Sequence, residues 1–370
     1  MTGPAGPLIS VVLPVCGVEQ FLPECLDSVL GRPGGPAGRQ PGRGLEVIAV
    51  DDASPDGCGR ILDGRAGQDP RLRVIHLAES VGPGPARMRG LAAATGAYVW
   101  FVDPDDLLAA GALASVTARL AGERPDVLLI DYLILRGRGR AEPSPGTGLL
   151  AAPPDGAATL TLAERPALIN RTMTVWSKIF RREFLTGLGV CFPPGIHEDI
   201  PVSCAALLSA ARIALLDRVC YLYRRRPSSF LATPSMANFS VFTSYEGVFA
   251  LMDVADTGGA VALRVSAPVR AAVFGRAIEH YSTVLASGLV PRRARREFFH
   301  RMAADYRRYR PAGYRRPPGL RGMKFALIER DAYAAYLILG PLNHARVAVA
   351  RAGRARTRWG AAAARVIRAG

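Results

Sequence analysis

Apolar and polar residues change their spacing repeatedly along the chain, and each change marks an element. Residues 8–15, LISVVLPV, form an apolar run rich in β-branched side chains, the pattern of a strand buried on both faces. Over 19–30, EQFLPECLDSVL, the residues Phe21, Leu22, Leu26, Val29 and Leu30 recur at helical intervals. LEVIAV at 45–50 predicts a second strand that ends directly at Asp51, 56–66 a short helix, and RLRVIHL at 71–77 a third strand. A helix is expected over Pro85–Thr95, with its proline near a permitted first-turn position. AYVWFV at 97–102 reads as a strand ending on Asp103, Leu107–Leu120 as a helix, and DVLLIDYLIL at 126–135 as another strand. This alternation predicts an α/β fold with a mostly parallel central sheet flanked by helices. Beyond about 236 the strand pattern stops, and helices are expected over 238–255, 263–287, 294–310, 323–339 and 342–368.

In parallel sheets, ligands collect where strands end. Three acidic groups stand at such places: Asp51-Asp52, Asp103-Pro104-Asp105-Asp106 and, later, Glu198-Asp199. Carboxylates there can hold a metal, grip a nucleotide or remove a proton, though each pair alone could equally begin a turn or cap a helix. Two nucleotide motifs are missing. The chain has no GxxxxGK[ST] sequence, and the loop after the first strand reads Pro14-Val15-Cys16-Gly17-Val18 instead of GxGxxG. Gly82-Pro83-Gly84-Pro85 is glycine-rich, but its prolines remove two backbone donors that a phosphate cradle would use.

Composition narrows the class. The 370 residues are 49% apolar and 21% charged, which suits a globular chain long enough for two unequal domains. Glycine and proline concentrate in 1–7, 31–44 and 137–156, expected as a loose start and two surface loops. The net charge of +16 is a property of the tail: residues 291–370 hold 20 Arg/Lys against 4 Asp/Glu, while the first 290 carry 27 of each sign. The six cysteines lack Cys-x-x-Cys spacing, and Cys16 and Cys25 fall in apolar surroundings, as buried free thiols do. The N-terminus has no basic segment followed by a long apolar stretch, and no apolar run reaches about 18 residues, so neither a signal peptide nor a spanning helix is expected.

Several longer stretches carry a family resemblance. SVVLPVCGVEQFLPECLDSVL at 10–30, VIAVDDASPDG at 47–57 and GPGPARMRGLAAATGAYVWFVDPDD at 82–106 resemble family 2 glycosyltransferases of the GT-A fold. WSKIFRREFL at 176–185, HEDIPVSCAALLSA at 197–210 and YLYRRRPSSF at 221–230 continue it, so that about residues 8–235 are covered. The resemblance implies a GT-A nucleotide-diphospho-sugar transferase domain over 8–235, followed by a basic helical region over 236–370. It further implies inverting transfer of a sugar from a nucleotide-diphosphate donor, UDP-linked in most such enzymes, with Mn²⁺ or Mg²⁺.

Roles follow position by position. Asp52, beside Asp51, matches the acidic pair that contacts the donor base or ribose, and Pro14, Val15 and Cys16 match one wall of the base pocket. The family's aromatic-Asn pair is Cys16-Gly17 here. Arg87 matches the arginine that approaches the donor, although Met88 replaces the usual Asn. Asp103-Pro104-Asp105 matches the DXD signature, with Asp105 as metal ligand and Asp103 on the ribose, a metal-bound water or the metal. Asp106 either helps hold the metal or caps the helix expected over Leu107–Leu120. Glu198-Asp199 matches the late acidic motif, with Asp199 as general base and Glu198 orienting it or binding acceptor. Arg224, Arg225 and Arg226 form a candidate diphosphate clamp; His197 is either a site residue or a surface histidine; Trp176 and Lys178 either shape the acceptor pocket or, for Trp176, fill the core.

Acceptors consistent with this reading are a glycan hydroxyl, a polyol phosphate or a lipid-linked saccharide. A cytoplasmic location follows, with the Arg/Ala-rich tail either lying on an anionic membrane surface, packing on the catalytic domain, or ending free. Nucleic acid is not expected, although Phe298, Phe299, Tyr306, Tyr309 and Tyr314 sit in the basic stretch where they could stack on bases. The alternatives are a nucleotidylyltransferase, whose glycine-rich basic loop is missing after the first strand, and a non-catalytic carbohydrate- or nucleic-acid-binding protein.

Overall fold

A computed structural model describes residues 7–32, 44–136, 140–146, 148–153, 156–171, 174–189, 191–225, 233–256 and 265–339. The sheet is mixed. Strands β1 (Ile9–Val15), β2 (Leu45–Asp51), β3 (Leu72–His76) and β4 (Tyr98–Phe101) run parallel in the order β3-β2-β1-β4. Beyond β4 the order continues through β8 (Lys178–Arg181), β6 (Val127–Arg136), β9 (Ile213–Arg224) and β5 (Leu107–Leu108), where only the β6–β9 pair is parallel. The expected parallel sheet therefore holds for the first half, and antiparallel pairing enters with the later strands. Strand β7 (Arg140–Pro143) adds to β6, so part of the glycine- and proline-rich stretch expected as loop is paired backbone.

Register places the acidic stops side by side. Val15 lies opposite Asp51, so β1 and β2 end level with each other, and β4 runs into Asp103. One helix starts later than its pattern suggests. Leu107 and Leu108 pair with Leu222 and Tyr221 as a short strand, and α4 runs over Ala112–Glu123.

The two faces of the sheet sort by the strand period of two. Ile9, Val11 and Leu13 join a buried cluster with α1 (Leu22–Leu30), α2 (Cys58–Ala66) and α4. Val12, Ile48 and Val50 face the other way, toward α3 (Pro83–Ala93) and α6 (Asp199–Ser209). That second cluster continues without a break into α7 (Ser240–Asp256), α8 (Ala267–Ala286), α9 (Arg295–Tyr309) and α10 (Gly319–Glu329). Phe298, Phe299 and Tyr306 are buried in it, while Tyr309 stacks on Phe249 and Tyr314 meets Phe274 edge-on. Phe298, Phe299 and Tyr306 are therefore core, with Tyr309 and Tyr314 packed partly buried against it. The helix expected over 323–339 is broken at Asp331, whose φ of 55° is left-handed, and resumes over 333–339. The expected helix over 342–368 lies outside the described residues. No described helix is long and apolar enough to cross a membrane.

Candidate active site

Three distant segments converge on one guanidinium. Arg87 lies on α3 and is only 4% exposed. Its Nη1 donates to Glu198 Oε1 at 2.7 Å and to Asp199 Oδ1 at 3.2 Å, and its Nη2 donates to Asp103 Oδ1 at 2.8 Å. The guanidinium also lies 5.6 Å from the ring centre of Phe192. Gly84 makes this approach possible: a Cβ there would fall 2.8 Å from Phe192 Cβ and 3.4 Å from Glu198 Cγ. The resemblance implies a place for Arg87 near the donor; the fold buries it among carboxylates as the hub joining the Asp103 loop to the Glu198-Asp199 helix start.

The charges set each other's protonation. Burial pushes the Asp199 carboxyl up to about 7, with Arg87 opposing and Glu198 and Asp103 adding to the rise. For Arg87 burial acts to lower the pKa, but Asp199, Asp103 and Glu198 outweigh it and hold the guanidinium firmly charged. Asp199 Oδ2 accepts the Val175 N–H at 3.2 Å, which fixes the carboxyl's second oxygen. Glu198, at the N-cap position of α6, makes no capping bond with its side chain, so the helix-cap explanation does not account for it.

Asp103 and Asp105 are both half-buried at the end of β4. Their oxygens are hard donors of the kind Mg²⁺ and Mn²⁺ prefer, and a pair of carboxylates leaves coordination positions for phosphate oxygens and water. The donor set therefore fits such a cation, although among the described residues no group of three or more His, Cys, Asp or Glu is arranged to hold one. Asp106 is committed to protein partners. It is buried, accepting the Tyr221 hydroxyl at 2.8 Å and the Arg224 N–H at 2.6 Å, and burial raises its pKa well above the usual carboxylate range. It ties the Asp103 loop to β9, and α4 begins too far on for it to be a cap. Tyr221 accepts the Asp103 N–H at 3.1 Å and stacks on Trp176 with ring centres 4.5 Å apart. Trp176 is thus core; Lys178 opens β8, also buried, and burial pulls its pKa down to about 7 against the opposing charge of Asp199.

At the other end of the site, Asp52 is buried beneath the 80–82 turn. It accepts the Ser80 hydroxyl at 2.8 Å and the Val81 and Gly82 N–H groups at 2.7 and 2.9 Å. Asp51 accepts the Ser54 N–H at 3.1 Å and faces His76 Nδ1 at 2.9 Å. Pro14 and Val15 are buried at the end of β1, whereas Cys16, expected among buried thiols, is exposed beside Asp52.

One expectation is corrected. His197 is neither a surface residue nor directed at solvent: its ring packs edge-on against His280 at 5.2 Å, and burial pushes it down to about 4. Arg224 pairs with the exposed Glu24 at 2.7 Å and lies 4.9 Å over Phe21. Arg225 is exposed, with its N–H on Leu135 O, and Arg226 lies outside the described residues. Tyr221, Ser80 and Phe192 were not singled out by the sequence. Each shows its role only through a partner far along the chain.

Residues 10–139 match the model of glycosyl transferase family 2. The chain is 31% identical over 232 residues to the uncharacterized glycosyltransferase EpsJ of Bacillus subtilis (strain 168), a match covering 62% of this chain and 64% of that protein. It is 30% identical over 217 residues to the poly(ribitol-phosphate) beta-N-acetylglucosaminyltransferase TarS of Staphylococcus aureus (strain Mu50), covering 58% of this chain and 35% of TarS. Among solved structures, S. aureus TarS 1-349 in complex with UDP-GlcNAc superposes with a TM-score of 0.53 at 23% identity, over 82% of this chain and 89% of that one. At that identity the likeness establishes the fold, the GT-A type anticipated from the motifs, with a helical C-terminal region. The match over 10–139, the sheet order and the strand-end carboxylates agree in likening this part of the chain to glycosyl transferase family 2.

Proposed function

We propose that the protein transfers a sugar, with inversion, from a nucleotide-diphosphate donor to a hydroxyl of a cell-envelope acceptor: a glycan, a polyol phosphate or a lipid-linked saccharide. The observation that carries this is the Arg87 hub, which brings a strand-end carboxylate suited to the donor and the Glu198-Asp199 pair onto a single buried cation. In this reading Asp199 is the general base. A carboxyl held at about 7 can both lose its proton near neutrality and accept one from an acceptor hydroxyl. Glu198 and the Val175 N–H orient it.

Asp105 and Asp103 would hold Mg²⁺ or Mn²⁺, which when bound neutralises the departing nucleoside diphosphate. Asp51, Asp52, Pro14, Val15 and Cys16 form the base and ribose end, and Arg224, Arg225 and Arg226 are the candidate phosphate clamp. UDP is the favoured nucleotide, supported by a TarS neighbour crystallised with UDP-GlcNAc. Work at the cytoplasmic face of the membrane suits a chain whose excess of Arg over acidic residues gathers toward its C-terminus.

A screen of nucleotide sugars for binding and hydrolysis, with and without Mg²⁺ or Mn²⁺, tests the reading. Asp105→Ala should lose cation-dependent donor binding, and Asp199→Ala should bind donor and fail to turn it over. Equal donor binding and turnover by both variants and the parent would overturn the division of roles.

A further inference from the structure

We propose that His76 is a positioning residue for the nucleotide end of the site, acting as an imidazolium strut between Asp51 and Asp63 that fixes the turn carrying Asp52. The inference rests on the donor-binding reading above and adds to it a specific dependence on proton concentration.

The geometry is informative because both ring nitrogens are committed to carboxylates. Nδ1 lies 2.9 Å from Asp51 Oδ2 on β2, and Nε2 lies 3.0 Å from Asp63 Oδ1 on α2. A neutral imidazole has one N–H and one bare lone pair, so one of these two contacts would set a lone pair against an anionic oxygen. Only the doubly protonated ring satisfies both. Asp51 and Asp63 are the charged groups facing the ring, and their hydrogen bonds raise its pKa above the ordinary histidine value. The packing is close: a Cβ on Gly59 would lie 3.0 Å from Asp51 Oδ2 and 3.7 Å from His76 Cε1.

The strut supports a strained segment. Ala53, between Asp52 and Ser54, has φ of 49°, a left-handed conformation uncommon for a residue with a side chain. Asp51 holds that turn from one oxygen, through the Ser54 N–H, while His76 holds the other. The Asp52 N–H in turn donates to Val15 O at 2.8 Å, so the turn is stitched to the end of β1. Loss of the imidazolium proton replaces one of the two attractive contacts by a repulsive one and loosens Asp51. The carboxylate of Asp52 and the Val15-Cys16 wall then lose their fixed relation. Because the ring's pKa is raised, the strut is intact below the ordinary histidine value and fails as pH rises through the raised one.

Calorimetric titration of the full chain with UDP, GDP, CDP, ADP and dTDP in Mg²⁺, from about pH 6 to about pH 9, tests this alongside ¹⁵N NMR of the His76 ring. We expect the bound nucleotide to weaken by about tenfold across the His76 titration, the size of one charge-assisted hydrogen bond. His76→Gln should bind at the weaker level throughout, supplying the baseline for the ligand's own titration. Asp63→Asn should move both the NMR midpoint and the affinity midpoint toward acid, which a purely structural histidine would not do. An affinity that tracks the His76→Gln baseline at every pH, while NMR shows the ring titrating, overturns the strut alone. Failure of every nucleotide to bind the parent protein at any pH overturns the donor reading and the strut with it.

Discussion

Replacing Asp199 with asparagine separates the cost of the site from its use. The substitution keeps the shape of the side chain and an oxygen for the Val175 N–H, and removes one of three negative charges around Arg87. Burial holds the native carboxyl at about 7 against an ordinary 3.8. At about 1.4 kcal/mol per pH unit, a displacement of roughly three units sets a ceiling of roughly 4 kcal/mol. The attraction of Arg87 is already contained in that value, and the interval from about pH 5 to about pH 7 spans roughly two of the three units, so the expected effect there is about 1–3 kcal/mol. The sign follows from proton linkage. The folded protein binds this proton more tightly than the unfolded chain, so its contribution to stability is full below about pH 4 and is lost as pH rises toward about 7. Asparagine cannot show that decline. Urea unfolding at about pH 5 and about pH 8 should find the variant gaining about 1–3 kcal/mol on the parent between the two. Turnover should fall by about 10²–10⁴ as the base is lost. A stability difference identical at both pH values, or turnover at the parent's level, would refute the assignment.

Two further substitutions probe the neighbouring framework. Arg87→Met leaves Asp103, Glu198 and Asp199 without their shared cation and should destabilise by about 3–5 kcal/mol near neutrality in urea titrations, less in acid where the carboxyls take up protons. Tyr221→Phe removes the hydroxyl between Asp103 and Asp106 and should cost about 1–3 kcal/mol in the same measurement while leaving the Trp176 stack in place.

The legible part of this protein is its first half. β1 and β4 announce themselves by largely apolar runs, β2 and β3 by shorter runs broken at Glu46 and Arg73, and the acidic stops Asp51 and Asp103 fall where β2 and β4 end. What local pattern hides is any role set by a distant partner. Asp106 looks like a helix cap until Tyr221, 115 residues on, is found against it. Leu107 and Leu108 suit a helix equally well, and only pairing with β9 makes them strand. His197 reads as a polar residue beside an acidic pair, yet α8 covers it with His280. Arg87 has an obvious motif position, but its burial depends on Phe192 and the 198–199 pair arriving from over a hundred residues away.

That separation has a consequence for biosynthesis. When Arg87 is added to the growing chain, the anions at 198 and 199 are still 111 and 112 residues from being made. At about 5–20 residues per second the arginine must wait several seconds or longer for them. The covering helices α7 to α9 come later still. The early strands can pair while translation continues, but the Arg87 cluster is completed only past the middle of the chain, so a chain stalled before residue 198 would hold paired strands and a guanidinium lacking two of its three carboxylates.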